Sequence, residues 1–360
     1  MEELKNIFSG KFTSAQEVTG NLLRNTKGDK VIWAIVVILT MAGILVVYSS
    51  IGSLAFKANK STESYLFKQI GYIGFGVMLI YFAHLVNYTV YSKIASILFL
   101  ISIPLLIYTL EFGSNINEAN RWIKLPFIKL TFQTSDLAKL GLFMYMSRIL
   151  SRRQAVIKDF KKGFLPLIIP VLIICALIAP ANLSTAILIG GIGLMLMFIG
   201  RVKIKYLLMV VAAGLIPLLI LMSLASHYYD KENHTAKELP AVFSVARLPT
   251  WISRVQSFMY SGQEDASYQI QQAKIAIATG GVFGKGPWKS EQRNFLPHPY
   301  SDFIYAIIIE EYGLVGGAVI LLVYLLFLFR SIRIFKKCPY AFGAFLAVAL
   351  SFTLVIQALV

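Results

Sequence analysis

Nine apolar runs, most of them close to the ~20 residues that an α-helix needs to cross a bilayer, punctuate this sequence from Val31 to its end. They are Val31–Ser50, Leu66–Val86, Ile94–Leu110, Leu137–Leu150, Phe164–Pro180, Leu183–Gly200, Tyr206–Ala225, Phe303–Phe329 and Tyr340–Val360. Hydrophobic residues make up 57% of the chain and charged residues 14%, against roughly 25% charged in an ordinary globular domain. With a mean hydropathy of +0.69, a set of soluble domains is excluded. The expected fold is all-α: a polytopic helical membrane protein with about nine spans. The first run is longer than a signal-peptide core, and no small-residue cleavage pattern follows it. It is therefore a retained helix behind an N-terminal tail, residues 1–30, and the transmembrane domain occupies 31–360. The fourth run is short and carries Lys139 and Arg148.

Loop charge orients the spans. Basic residues cluster in the tail, at Arg148–Lys162, at Arg201–Lys205 and at Arg330–Lys337. All four clusters fall on one side if every run crosses, and the positive-inside rule makes that side cytoplasmic. The net charge of +16 is thus a topology signal, and nucleic acid is not expected as a partner. Cys175, Cys338 and four scattered histidines form neither a disulfide framework nor a metal-ligand spacing. The opposite side receives one long segment, 227–301, about 75 residues and far beyond an ordinary connection. Its aromatic residues and near-balanced charge argue against disorder.

Chemistry-bearing residues concentrate in that segment. Arg254 leads to the adjacent carboxylates Glu264 and Asp265, then to Tyr268-Gln269 and to Gly280-Gly281-Val-Phe-Gly284-Lys285-Gly286-Pro287 with Ser290. The glycine stretch fails as a nucleotide loop, being one residue short and lacking the final Ser or Thr. It is either a phosphate cradle of backbone N–H groups or a tight turn that needs positive φ. Adjacent carboxylates point apart, so one general base suits them better than a two-carboxylate pair; a solvated surface is the plain alternative. Downstream, Leu296-Pro-His298-Pro-Tyr-Ser301-Asp302 enters the eighth run, where Ser301 or Asp302 can cap the helix. Glu310 lies deeper, where a carboxylate is costly and needs a partner or a wet cavity. Before the fourth run, Ser135 and Asp136 with Lys139 on the same face read as an amphipathic helix entry, or Arg121, Lys124 and Lys139 form a cationic rim for an anionic lipid headgroup. Pro180-Ala-Asn182-Leu-Ser184-Thr185-Ala186 reads as a polar turn and helix cap.

Together these strings resemble the SEDS family of bacterial shape and division proteins, which contains RodA and FtsW. Its R-W-I…Q-P-S-E-x-x-K stretch is matched by Arg121-Trp122-Ile123, Gln133, Ser135 and Lys139, with Thr134 and Asp136 departing from it. Its P-D-L-G-T-A turn is matched loosely at Asn182–Ala186. Its Y-Q…GG-x-x-G-x-G…S segment is matched at Tyr268, Gln269, Gly280, Gly281, Gly284, Gly286 and Ser290. Its L-P-x-x-x-[ST]-D-F-I-[FY]-A…E-E-x-G segment is matched from Leu296 to Gly313. The Gly-Pro and His-Pro-Tyr-Ser-Asp strings are closer to the FtsW branch. The family usually has a tenth span and a late P-x-x-G-Q-x-L-P segment. This sequence stops at Val360 without them, so the expectation is a partial chain or one lacking part of the site.

The resemblance implies a peptidoglycan glycosyltransferase in the bacterial cytoplasmic (inner) membrane that polymerises lipid II and releases undecaprenyl diphosphate, in division or, alternatively, in elongation. A lipid II flippase and a divisome scaffold are the other readings. The family's loop aspartate falls on Asp265, with Glu264 as the base under the competing alignment. Arg121, Lys124, Arg254 and Lys285 are candidates for the diphosphate. Gln133, Ser135, Lys139, Tyr268, Gln269, Ser290, His298, Ser301, Asp302 and Glu310 complete the substrate site. No cofactor is required, since the donor carries its own leaving group; a divalent cation is left open, without a ligand cluster to hold it. The implied partners are a class B penicillin-binding protein transpeptidase and other divisome membrane proteins.

The orientation is testable in intact cells. A Ser261→Cys variant should react with an impermeant thiol reagent and a Ser151→Cys variant should not; labelling of the second alone overturns the topology.

Overall fold

Each apolar run becomes a helix in the structure, a computed structural model that describes residues 28–57, 62–116, 119–124, 131–230, 235–236, 248–260, 268–296 and 299–359. The nine are α1 (Lys30–Lys57), α2 (Thr62–Leu85), α3 (Tyr88–Phe112), α4 (Thr134–Arg152), α5 (Leu165–Ile178), α6 (Leu183–Ile199), α7 (Ile204–His227), α10 (Ile304–Lys337) and α11 (Ala341–Leu359). Two more helices, α8 (Leu248–Tyr260) and α9 (Tyr268–Gly280), lie in the long segment between α7 and α10. Among the described residues, seven helices are long and apolar enough to cross a membrane. The chain is a multi-pass membrane protein.

The described residues divide into two compact units. One falls within Met1–Asn87 and Gln272–Val323, the other within Tyr88–Gln271 and Tyr324–Val360. In the first, α1 packs along α2, with the Trp33 and His84 rings edge to face at 5.5 Å.

In the second unit α4 is the hub, packed on α3, α5, α6 and α11. Leu142, Phe143, Met146 and Leu150 are fully buried, and Phe99 of α3 stacks on Tyr145 at 4.7 Å. The charges that weaken this run as a span all find partners. Lys139 pairs with Asp136 at 2.7 Å. Arg148 donates to the Lys93 carbonyl at 3.1 Å and to Ser96 Oγ at 3.0 Å in the first turns of α3. A helix surrounded by other helices needs fewer apolar residues than one facing lipid, because its polar groups can be satisfied within the protein.

The link from α3 to α4 is a three-stranded antiparallel meander, β1 (Ser114–Ile116), β2 (Ala119–Lys124) and β3 (Thr131–Gln133). Trp122 pairs with Gln133 and Ile123 with Phe132. Helix α4 starts at once after β3, at Thr134. After α7, Tyr229–Asp230 (β4) pairs with Thr235–Ala236 (β5). Helix α8 then folds back on α7, where Gln256 Nε2 donates to the Ala225 and Tyr228 carbonyls at 3.1 and 3.0 Å. Those are orphan acceptors at a helix C-terminus.

Close approach of α3 and α4 depends on Gly141. A Cβ there would stand 3.2 Å from backbone atoms of Leu98 and Phe99, whereas one at Gly191 would meet nothing within 4 Å. Gly141→Val should therefore cost about 1–3 kcal/mol of stability, read as a lowered melting temperature in detergent, with Gly191→Val as the silent control.

Candidate active site

In the first unit, helix α10 is broken. Gly313 takes φ 71° and ψ −176°, a conformation that side chains exclude. The break leaves the Glu310 and Glu311 carbonyls without their helical donors, and the glycine stretch supplies new ones. Lys285 N and Gly286 N donate to those two carbonyls, each at 2.9 Å. In return, Leu314 N and Val315 N donate to the Gly281 and Val282 carbonyls at 3.0 and 3.2 Å. The exchange needs backbone against backbone: a Cβ at Gly280, Gly284 or Gly313 would collide with Ile309 O, Glu311 O or Val282 O respectively. Gly281, Gly284 and Gly286 all have positive φ. Of the two uses the sequence allows this stretch, the geometry is that of the tight turn. The amides of Lys285 and Gly286 serve the helix break and are not open to a phosphate.

Behind this clamp sits Glu310, fully buried. Its carboxylate accepts from Lys285 Nζ at 3.0 Å, Ser290 Oγ at 2.5 Å, Glu291 N at 3.0 Å and Gln292 N at 3.3 Å. Lys285 also approaches the Glu291 carboxylate at 3.5 Å. Its charge is thus committed to two carboxylates of the chain. Glu311, equally buried, accepts from Ser49 Oγ of α1, while its Oε2 makes no hydrogen bond among the described residues. Arg293 Nη1 donates to the Ser49 carbonyl at 2.8 Å. Three residues proposed from the sequence, Lys285, Ser290 and Glu310, are brought together here. Ser49, Glu311 and Arg293 were missed. The Ser49-Ser50 pair near the end of an apolar run was the available signal. Ser301 and Asp302 are exposed in the turns before α10, and His298 lies outside the described residues.

In the second unit, Gln133 Nε2 donates to Ser135 Oγ at 2.9 Å, and Asn182 caps α6 by accepting from Thr185 N at 3.2 Å. Gln133, Ser135 and Asn182 line one small cavity of about 20 Å³, room for about one water. Lys139 is buried against Asp136 and faces no open rim. Arg121 and Lys124 lie on β2 and Arg254 on α8; their side chains are outside the described ones. Tyr268 and Gln269 are exposed at the start of α9. Glu264 and Asp265 lie outside the described residues, in the link from α8 to α9. A larger cavity of about 570 Å³, lined by Leu172, Ala176, Ile187, Pro217, Leu221 and Trp251 among others, opens between α5, α6, α7 and α8. Its size is that of a small-ligand site and its lining is almost wholly apolar, which suits hydrocarbon.

The Glu310 cluster can be tested by its energetics. Glu310→Gln removes the charge that three other donors and Lys285 share, and should cost about 2 kcal/mol, read as a lower melting temperature. Adding Lys285→Met removes the stranded ammonium and should recover part of the loss, a non-additive pair. Unchanged melting of the single variant would show that the cluster contributes nothing to the fold.

A family model described as cell cycle protein and headed FtsW, RodA and SpoVE matches residues 29–360. A probable peptidoglycan glycosyltransferase FtsW of Geobacter sp. (strain M18) is 33% identical over 351 residues, covering 94% of this chain and 87% of that protein. Stage V sporulation protein E of Bacillus subtilis (strain 168) is 28% identical over 343 residues, covering 94% and 87%. Two solved structures share the fold. One, from work on a peptidoglycan synthase complex that coordinates polymerization and crosslinking, has a TM-score of 0.65 at 22% identity, covering 91% of this chain and 85% of its own. The other, Thermus thermophilus rod shape determining protein RodA, has a TM-score of 0.57 at 19% identity, covering 90% and 82%.

Proposed function

This chain belongs to the cell cycle protein family of FtsW, RodA and SpoVE, and from that premise we propose that it polymerises lipid II into glycan strands. It is a peptidoglycan glycosyltransferase of the membrane. The observation that carries the finer reading is the apolar cavity walled by α5, α6, α7 and α8. It offers a hydrocarbon-lined space on α8, the helix that precedes Glu264-Asp265 in the sequence. A lipid-linked sugar diphosphate needs this combination: a place for its hydrocarbon and a carboxylate near its headgroup.

In the proposed reaction the 4-hydroxyl of an acceptor sugar attacks the anomeric carbon of the donor. The new glycosidic bond forms as the bond to the lipid diphosphate breaks. Asp265 takes the hydroxyl proton, and the diphosphate leaves with the electron pair. Arg254, one turn beyond Trp251 on α8, with Arg121 and Lys124, supplies positive charge for the departing oxygens. Lys285 contributes less directly in this scheme, since Glu310 and Glu291 already share its charge. No cofactor enters the scheme, because the donor brings its own leaving group; a divalent cation beside the diphosphate would assist the same charge. We assign the division role on the similarity to FtsW proteins, with a class B penicillin-binding protein transpeptidase as membrane partner and the N-terminus in the cytoplasm.

The test uses purified protein with lipid II. Asp265→Asn keeps the shape but cannot take a proton, so polymer formation should fall ~10²–10⁴-fold while lipid II binding persists. Glu264→Gln is the internal control. A dead Glu264→Gln beside an active Asp265→Asn moves the base to Glu264. Full polymer formation by both variants means that neither carboxylate is the base, whereas translocation of the headgroup without polymer by the unsubstituted protein removes the polymerase mechanism and favours a flippase.

A further inference from the structure

The depth of the glycine turn follows from its bonds to α10. Beyond the break at Gly313, helix α10 runs without interruption from Leu314 to Lys337, and the hydrocarbon core that it crosses is about 30 Å thick. Arg330, Arg333, Lys336 and Lys337 mark one boundary of that core. Val315 precedes Arg330 by fifteen residues, about 22 Å along the axis. It therefore lies some 8 Å inside the far boundary of a ~30 Å core, and any tilt of the helix carries it deeper. Leu314 and Val315 are half exposed, as lipid-facing residues should be. Since their amides bond the Gly281 and Val282 carbonyls, the tip of the glycine turn is at the same level. At that tip Phe283 is 84% exposed and Val282 55%.

We propose that residues 281–288 form a re-entrant loop whose Val282-Phe283 tip is immersed in the acyl chains of the leaflet opposite the Arg330–Lys337 cluster. Non-helical backbone at such depth is tolerated only where its polar groups are satisfied by protein. The exchange with the α10 break supplies that, and Gly284 N adds a bond to the Gly280 carbonyl at 2.8 Å. The residues that follow suit an ascent through the headgroups. Trp288, half exposed and held at φ 61°, meets Tyr48 of α1 edge to face at 6.1 Å; tryptophan and tyrosine favour that layer. Lys289 beside it is exposed and can extend its ammonium to phosphates. The occupant is the bulk lipid itself. The proposal depends neither on the reaction assigned above nor on which side is cytoplasmic.

The experiment places a nitroxide on Phe283→Cys in a Cys175→Ala/Cys338→Ser background. The full chain is held in nanodiscs of phosphatidylethanolamine and phosphatidylglycerol, with no lipid-linked substrate present. Collision rates with oxygen and with a water-soluble nickel chelate report the environment of the label. Leu326→Cys on the exposed apolar face of α10 serves as the lipid reference, and Lys158→Cys in the basic α4–α5 link as the aqueous one. The oxygen-to-nickel ratio at position 283 should match that at 326 and exceed that at 158. A ratio like that at 158 overturns the proposal, as does shielding from both reagents, which would mean that protein covers the tip. Val282→Cys gives a second reading from the same tip should the first variant assemble poorly.

Discussion

A polar backbone group inside hydrocarbon has no water to turn to, and the first unit is organised around meeting that demand at one place. Helix α10 gives up two of its own hydrogen bonds at Gly313, and the glycine turn returns four. Three positions without a Cβ make this approach feasible. Because the exchange is reciprocal, neither partner is complete alone. Among the described residues, the Lys285 and Gly286 amides bond only these acceptors, and the two carbonyls receive only these backbone donors. The same contact brings the side chains of Glu310, Lys285 and Ser290 within hydrogen-bond reach of one another.

The buried carboxylates divide the work. Glu310 accepts four hydrogen bonds, one from an ammonium, and thereby ties 285–292 to the spanning helix. Glu311 ties in the C-terminal half of α1 through Ser49, which Arg293 holds from its carbonyl side. Charges buried this way are expensive unless paired and hydrogen-bonded, so these contacts impose one geometry more than they add stability. In the second unit the hydrocarbon-lined cavity and α8 are positioned by packing, with Gln256 closing the end of α7.

The spans were legible because twenty apolar residues in a row have few other uses, and all nine runs are helices. Glu310 was legible for the converse reason: a carboxylate where it is costly advertises a partner. The partner itself was not, since Ser290 lies twenty residues away and serine carries no comparable penalty. The break at Gly313 was hidden inside Glu310-Glu311-Tyr312-Gly313-Leu314, which reads as uninterrupted helix. Short strands β1 to β3 leave no alternation long enough to detect, so Arg121 and Lys124 were legible by their charge, and Arg121 also by its motif, but not as residues of a strand. The roles of Asp265 and Glu264 rest on resemblance, not on the described geometry.

The polar character of α4 has a consequence for how the protein is made. A segment with Lys139 and Arg148 inside it, between Asp136 in its first turn and Arg152 in its last, enters lipid poorly alone, since a charge at the centre of a spanning helix costs about 2.5–3.5 kcal/mol on translocation scales. Lys139 is paired with Asp136 within the helix, and Arg148 is hydrogen-bonded by the start of α3 outside it. Entry of α4 into the bilayer is therefore favoured when α3 is already beside it, joined through the β-meander, because the acceptors for Arg148 come from that helix.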